Sequence, residues 1–276
     1  MKIIVTFCSW VLLFCLIGPI AEASIQSVDL HLGNNEVAIT FLDLSVGEAI
    51  LLQKSDGTAV LINTGSAASE QELIDRLQMF QVKEISRVWL TNADEAYAGN
   101  FESLLRYFSI GEVMLSQSLQ QALLPEIPSH VRKNTLKEEQ KITLMEDVEA
   151  EIVNISKAGS VTFMLSLGSQ DILMMGDTDE ELEKTISSSG RTVEVLKVAN
   201  FGGGNGTSTE FLSAIDPQMA VIFRHKNIDI SESVLERLSE SWTDVYYPYR
   251  IGSVTLRMQD DRYDVITLPT KEERLR

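Results

Sequence analysis

The amino-acid sequence predicts an α/β (α+β) fold of four layers, an αββα sandwich in which two sheets share one core and helices cover both outer faces. Three observations carry that expectation. Each half of the chain gives antiparallel strand pairs followed by alternating strands and helices. No Pro- or Ser-rich linker separates the halves, so residues 24–276 are expected to form a single domain. Apolar residues make up 44% of the 276 and charged residues 23%, which suffices for a sizeable core under a polar surface.

The elements follow in order. Residues 1–23 have the pattern of an export signal. Lys2 is a minimal basic start, residues 3–20 are almost wholly apolar, and Ala21-Glu22-Ala23 matches the small-x-small site of signal peptidase. An uncleaved anchor is the alternative, since roughly 18 apolar residues approach the spanning minimum. Pro19 and the Ala-x-Ala site favour cleavage, and Phe14 before Cys15 is too bulky for a lipoprotein site. Cys8 and Cys15 are the two cysteines, so the chain from Ser24 onward can form neither a disulfide nor a thiolate metal site. The protein is expected to be exported, extracellular or in the cell envelope, meeting membrane only through residues 3–20.

Residues 28–32 and 36–44 read as strands about a Gly33-Asn34-Asn35 turn, and 49–54 and 58–63 as strands about Ser55-Asp56-Gly57. Leu73, Leu77 and Phe80 share one face of a helix over 69–80. A strand at 85–90, a polar loop over 91–99 and a helix at 101–108 come next. A short strand at 113–116 precedes a polar stretch, 118–144, expected to hold a helix and a surface connection. The second half gives strands at 149–156, 161–167 and 171–175, then an acid-rich helix at 179–187 whose charges suit its N-terminus and a solvated face. A strand at 193–198 leads to the Gly-rich loop 200–206. Thr207-Ser208-Thr209-Glu210 reads as a capping box opening a helix to Ile215. Strands at 219–223 and 245–247 flank a helix at 231–239, and a hairpin of 254–258 with 264–268 precedes the charged tail 271–276.

The formal charge of −17 sets one limit on partners. Such a surface repels polyanions, so strong nucleic-acid binding is disfavoured and a protein or small molecule is the expected ligand.

Specific motifs sit on this framework. Phe41-Leu42-Asp43-Leu44, then Gly47-Glu48-Ala49-Ile50-Leu51-Leu52, then Val60-Leu61-Ile62-Asn63-Thr64-Gly65 resemble the opening of a metallo-β-lactamase-fold domain. More narrowly, they are similar to the extracytoplasmic domain of the ComEC competence DNA-uptake proteins, which open with Phe-Leu-Asp-Val-Gly-Gln-Gly-Asp-Ala and continue with Leu-Ile-Asp-Thr-Gly. Met175-Gly176-Asp177 resembles that family's Gly-Asp motif. Val195-Leu196-Lys197-Val198, with Asn200-Phe201-Gly202 and the helix opening at Thr207, resembles its Leu-Lys-Val-Gly-His-His-Gly-Ser segment. The motifs keep their order over residues 37–256. The resemblance implies the same αββα sandwich, with a dinuclear metal site at one edge of the sheets. Its ligands would be a His-x-His-x-Asp-His loop, or His-x-Asp-x-Asp-His in the ComEC branch, with a later His, a bridging Asp and a last His. Such donors hold Zn or Mn, which activates a water as nucleophile.

This sequence departs from that ligand pattern at nearly every position. Asn92 stands where the first His belongs, Ala96 replaces the Asp and Tyr97 the second His, while Asp94 agrees with the ComEC-type loop. Asn200 and Phe201 occupy the His-His pair, and residues 228–231 contain no last His. Asp94 and Asp177 are the charged candidates left. They could hold a weakly bound divalent cation with waters, but so few donors leave no cofactor expected, and capping of loops is the simpler role for both. Asn63, Asn92 and Asn200 keep hydrogen bonding while discarding charge. Tyr97 and Phe201 would fill the former cavity, as packing or as an aromatic wall for a ligand. The loop 202–206 lacks a P-loop Lys and reads first as a turn, second as a phosphate cradle. His31, His130 and His225 fall outside these motifs, and His225, between Arg224 and Lys226, is expected in packing or at the surface. The site residues therefore point to an exported, non-catalytic protein of this fold that binds through the former active-site edge. The alternative is a metal-dependent phosphodiesterase or nuclease-like hydrolase with a reduced site, linked to DNA uptake.

Overall fold

Two facing sheets position everything else. The computed structural model describes residues 27–123, 127–177, 179–204, 206–259 and 261–269. The export-type segment with both cysteines, Thr178, Asn205 and the tail 271–276 lie outside the described residues. Among the described residues no helix is long and apolar enough to cross a membrane.

The first sheet combines β1 (Val37–Phe41), β2 (Ile50–Lys54), β3 (Ala59–Ile62), β4 (Glu84–Trp89), β5 (Ser109–Ser116) and β6 (Arg132–Leu136) with the C-terminal hairpin β14 (Ser253–Gln259) and β15 (Arg262–Leu268). Its order is β15-β14-β1-β2-β3-β4-β5-β6. The second sheet runs β13-β12-β11-β10-β9-β8-β7. Its strands are β7 (Lys141–Met145), β8 (Val148–Ile155), β9 (Val161–Leu167), β10 (Gln170–Met174), β11 (Val195–Lys197), β12 (Met219–Val221) and β13 (Asp244–Tyr246). Each sheet changes from antiparallel to parallel pairing part-way across, at β3 with β4 and at β10 with β11. Parallel strands align their carboxyl ends at one edge, where α/β folds place ligand sites.

Alternation along the strands sorts the core into layers. Val37, Ile39 and Phe41 of β1 face Phe163, Ile172 and Val195 of the opposite sheet. Trp89 stacks on Phe163 with ring centroids 4.1 Å apart, joining the sheets at their centre. On the outer face of the first sheet, Leu51, Leu61 and Val88 pack under α1 (Glu70–Met79) and, beyond the short α2 (Glu95–Ala98), α3 (Phe101–Tyr107). Helix α4 (Gln117–Leu123) completes that layer. On the outer face of the second sheet, Leu173, Leu196 and Ala220 lie under α5 (Glu180–Ser188), α6 (Thr209–Ile215) and α7 (Glu232–Glu240). Each large apolar side chain buried this way contributes about 1.5–3 kcal/mol, and three such clusters make the αββα sandwich.

Four details differ from the sequence reading. Residues 28–32 form no strand and join no sheet, because β2 and β14 already occupy both edges of β1. Val28 instead donates its N–H to the Met79 carbonyl at 2.8 Å, and its carbonyl accepts from Gln81 Nε2 at 2.9 Å. The polar stretch 118–144 holds two strands, β6 and β7, each at the edge of its sheet. Edge strands tolerate the lysines and threonines that hid their periodicity. Pro248 opens a one-turn helix, α8 (Pro248–Ile251), that no pattern announced.

The fourth concerns Glu183, assigned with its neighbours to a solvated face. It is only 3% exposed, and its carboxylate accepts from the backbone N–H groups of Thr207 and Ser208, the latter at 3.0 Å. Ser208 rather than Thr207 is the N-cap of α6, its Oγ accepting from Phe211 N at 3.2 Å. Glu183→Ala would strand two buried donors. It is expected to cost about 2–3 kcal/mol in urea unfolding, whereas neighbouring exposed Glu181→Ala should stay within about 0.5 kcal/mol.

Candidate functional site

The loop after β4 is shaped by its own side chains. Asn92 Oδ1 accepts from Asp94 N at 2.9 Å, turning the chain, and Asp94 Oδ1 accepts from Ala96 N at 2.8 Å, capping α2. The carbonyls of Ala96 and Tyr97 then tie the loop to the first sheet, accepting from Glu48 N at 2.9 Å and Thr64 N at 2.6 Å. Gly47 donates to the Arg224 carbonyl at 2.7 Å, which brings the end of β12 to the same edge. Sequence-distant motifs are thereby stitched together by backbone hydrogen bonds.

Behind the loop lies a buried polar network. Lys197, the last residue of β11, is 3% exposed, and its Nζ lies 3.0 Å from Glu48 Oε2. The same ammonium donates to the Met175 carbonyl. Glu48 Oε1 accepts from Asn63 Nδ2 at 2.7 Å, and Asn63 Oδ1 accepts from Thr91 N at 2.9 Å. Neither Lys197 nor Glu48 was singled out from the sequence as a site residue, although both lie in the quoted motifs. Isolated charges are seldom placed in a core unless paired. A Lys at the end of an apolar strand and a Glu between Gly47 and Ala49 were therefore the available signals.

Rings fill the space in front. Tyr97 and Phe201 have centroids 5.0 Å apart, and Phe201 and His225 likewise 5.0 Å. Asn200 and Phe201 both adopt left-handed backbone, at φ 46° and 55°. A bulky residue in that region carries strain of order 1–3 kcal/mol, a cost usually met at sites inherited or kept for function. His225 Nε2 lies 3.7 Å from Asp94 Oδ1, an ion pair when the imidazole is protonated. The ring is packed on Phe201, as the sequence reading expected, yet it also reaches the site, which that reading did not foresee. Its position just after a strand whose carboxyl end meets this edge was the missed cue.

Asp177 and Asn200 line a separate cleft of about 330 Å³ with Asn154, Ser156, Asp179 and Leu182. The capping expected of Asp177 falls to Asp179, whose Oδ1 accepts from Glu181 N and Leu182 N at 2.8 and 3.2 Å. The half-buried Asp177 carboxylate has no hydrogen-bond or ion-pair partner among the described residues. Gly202 and Gly203 serve close packing: a Cβ on Gly203 would stand 2.2 Å from Ile228 Cγ2. Among the described residues, no three His, Asp or Glu side chains gather closely enough to hold a metal ion. Asp94 is engaged as a cap, and Tyr97 and Phe201 stand where the resemblance places histidines. This donor set does not fit the dinuclear metal group that the motif resemblance implies.

Burial drives the Tyr97 phenol well above its ordinary 10.0, and the charges of Glu48, Asp177 and Asp94 push the same way. A folded state that holds this proton more tightly than the unfolded chain gains stability fully present below about pH 10 and lost as pH rises through the folded value. Tyr97→Phe is therefore expected to flatten the fall of the urea midpoint between about pH 9 and 11.

Comparison with solved structures defines the fold. The YhfI metallo-β-lactamase fold protein from Bacillus subtilis is similar with a TM-score of 0.58 at 11% identity, covering 77% of this chain and 96% of its own. Zn(2+)-bound PqqB from Methylobacterium extorquens gives a TM-score of 0.56 at 11% identity, over 81% and 100% of the two chains. The CmlA beta-hydroxylase E377D mutant gives 0.59 at 12% identity, over 80% of this chain and 54% of its own. The chain has the metallo-β-lactamase fold, and at these identities the likeness is one of fold. No family model matches the sequence, and no curated protein does.

Proposed function

We propose that this chain is a non-catalytic, exported metallo-β-lactamase-fold protein, akin to the ComEC domain, that binds a protein or small molecule at its former metal edge. The observation that carries the reading is the pair of buried rings of Tyr97 and Phe201, 5.0 Å apart, standing where the resemblance places histidine ligands, with Asn92 and Asn200 in place of two further donors. Neither an aromatic ring nor a neutral amide supplies the imidazole or carboxylate donors that hold a hydrolytic metal. Asparagines and rings in the remaining positions complete a network that needs no ion.

The test is hydrolysis of bis(p-nitrophenyl) phosphate and of single-stranded DNA with Mn, Mg or Zn added. No turnover above that of the metal alone is expected. Metal-dependent turnover abolished by Asp177→Ala would establish the rival reading, a phosphodiesterase with a reduced site, for which the unpartnered Asp177 carboxylate is the supporting feature. Export is tested by the N-terminus of the mature protein, expected at Ser24.

A further inference from the structure

We propose that a cleft beside the former metal edge, formed by residues 223–230 and 247–250, binds a small molecule bearing a tetrahedral oxyanion, such as a phosphomonoester. The inference rests on this cleft alone and holds whether or not the neighbouring edge is catalytic.

The cleft has a volume of about 590 Å³ and is lined by Arg224, Lys226, Asp229, Tyr247, Tyr249 and Arg250 among others. Its two arginines are mounted on rings. The Arg250 guanidinium lies 5.0 Å from the Tyr247 centroid and 5.4 Å from that of Tyr249, and Arg224 lies 5.7 Å from Tyr249 on its own side. Resting guanidiniums on aromatic faces fixes their planes while leaving the in-plane N–H fork free, the geometry that takes a phosphate by paired hydrogen bonds.

That fork has no protein acceptor. The side chains of Arg224, Lys226 and Arg250 have no hydrogen bond or ion pair among the described residues. The contrast with the rest of the chain is informative, because 40 acidic residues face 23 basic ones. Five other arginines pair with carboxylates, as Arg76 does with Asp43 and Arg191 with Asp171. Arg132 and Arg237 also lack a carboxylate, but here three such cations are gathered in one concavity. Asp229 is the one carboxylate in the lining, so the concavity carries an excess of positive charge. A polyanion would extend beyond a Debye length, about 8 Å at physiological salt, into the field of the acidic surface. A small anion feels mainly the local cations, which decides for a small molecule over a nucleic acid.

The test is calorimetric titration of the mature protein in EDTA with phenyl phosphate, inorganic phosphate and a short oligothymidylate. Saturable binding of phenyl phosphate is expected, weakened about tenfold or more in Arg224→Gln/Arg250→Gln and unchanged in Arg132→Gln, which alters an arginine outside the cleft. Each single substitution should weaken it severalfold, so the result does not depend on one double variant. No saturation by about 10 mM, or equal binding in the double variant, overturns the proposal. Tighter binding of oligothymidylate, lost in the same variants, overturns it in favour of a nucleic acid. Phosphate binding seen only in a parallel titration without EDTA, lost in Asp177→Ala yet surviving the arginine substitutions, assigns the anion to a metal. That outcome overturns both this proposal and the non-catalytic reading.

Discussion

Lys197→Met is expected to destabilise the protein by about 3–5 kcal/mol, because it leaves the Glu48 carboxylate charged, buried and without its cation. Both side chains are 4% exposed, so solvent cannot repair the loss. The Met175 carbonyl would lose its donor as well, loosening the neighbouring ends of β10 and β11. Adding Glu48→Gln should recover part of the cost, since a neutral pair leaves no bare charge. The resulting coupling of about 1–3 kcal/mol is measurable by a denaturant double-mutant cycle. A single-variant cost below about 1 kcal/mol would mean that the ammonium reaches water and does not fill the site.

Gly47→Ala should be comparably damaging, at about 4 kcal/mol or more, for a reason of backbone rather than charge. A Cβ there would stand 2.3 Å from Ser66 N, 2.6 Å from the Ala96 carbonyl oxygen and 2.8 Å from Gly65 Cα, at a φ of +97°. None of those atoms is the far end of a flexible side chain, so relief requires moving the loop that carries Tyr97. The expected result is a lowered urea midpoint together with loss of the fixed near-ultraviolet signal of the Tyr97–Phe201 contact. By contrast Gly57→Ala, with nothing within 4 Å of its Cβ but a φ of +88°, should cost only its backbone strain.

Gly47 also shows what the sequence makes legible. Gly47-Glu48-Ala49 was legible as part of a motif, though not as a close approach, and the alternating runs around it specify sheets and layers by local periodicity. Segments whose periodicity is diluted were harder. β6 and β7 carry Lys and Thr because they are edges, and residues 28–32 look like a strand because nothing local says that β1 has no free edge. At the site, Asn92, Asp94, Tyr97, Asn200 and Phe201 were placed by order in the motifs. What joins them was not legible: a buried pair between residues 48 and 197, and a His225 brought against Phe201, depend on contacts across about 20 to 150 residues of sequence that no window of periodicity spans. The roles of Asp177 and Asp179 were separable only in three dimensions, since either could have capped the helix that follows.

The proposed function requires protein groups in the place of metal at this edge. The most direct measurement is the metal content of the mature protein, by mass spectrometry after equilibration with Zn, Mn and Mg and dialysis. Fewer than about 0.1 ions per chain are expected, in the wild type and in Asp177→Ala alike. One or two ions per chain, lost on Asp177→Ala, would contradict it.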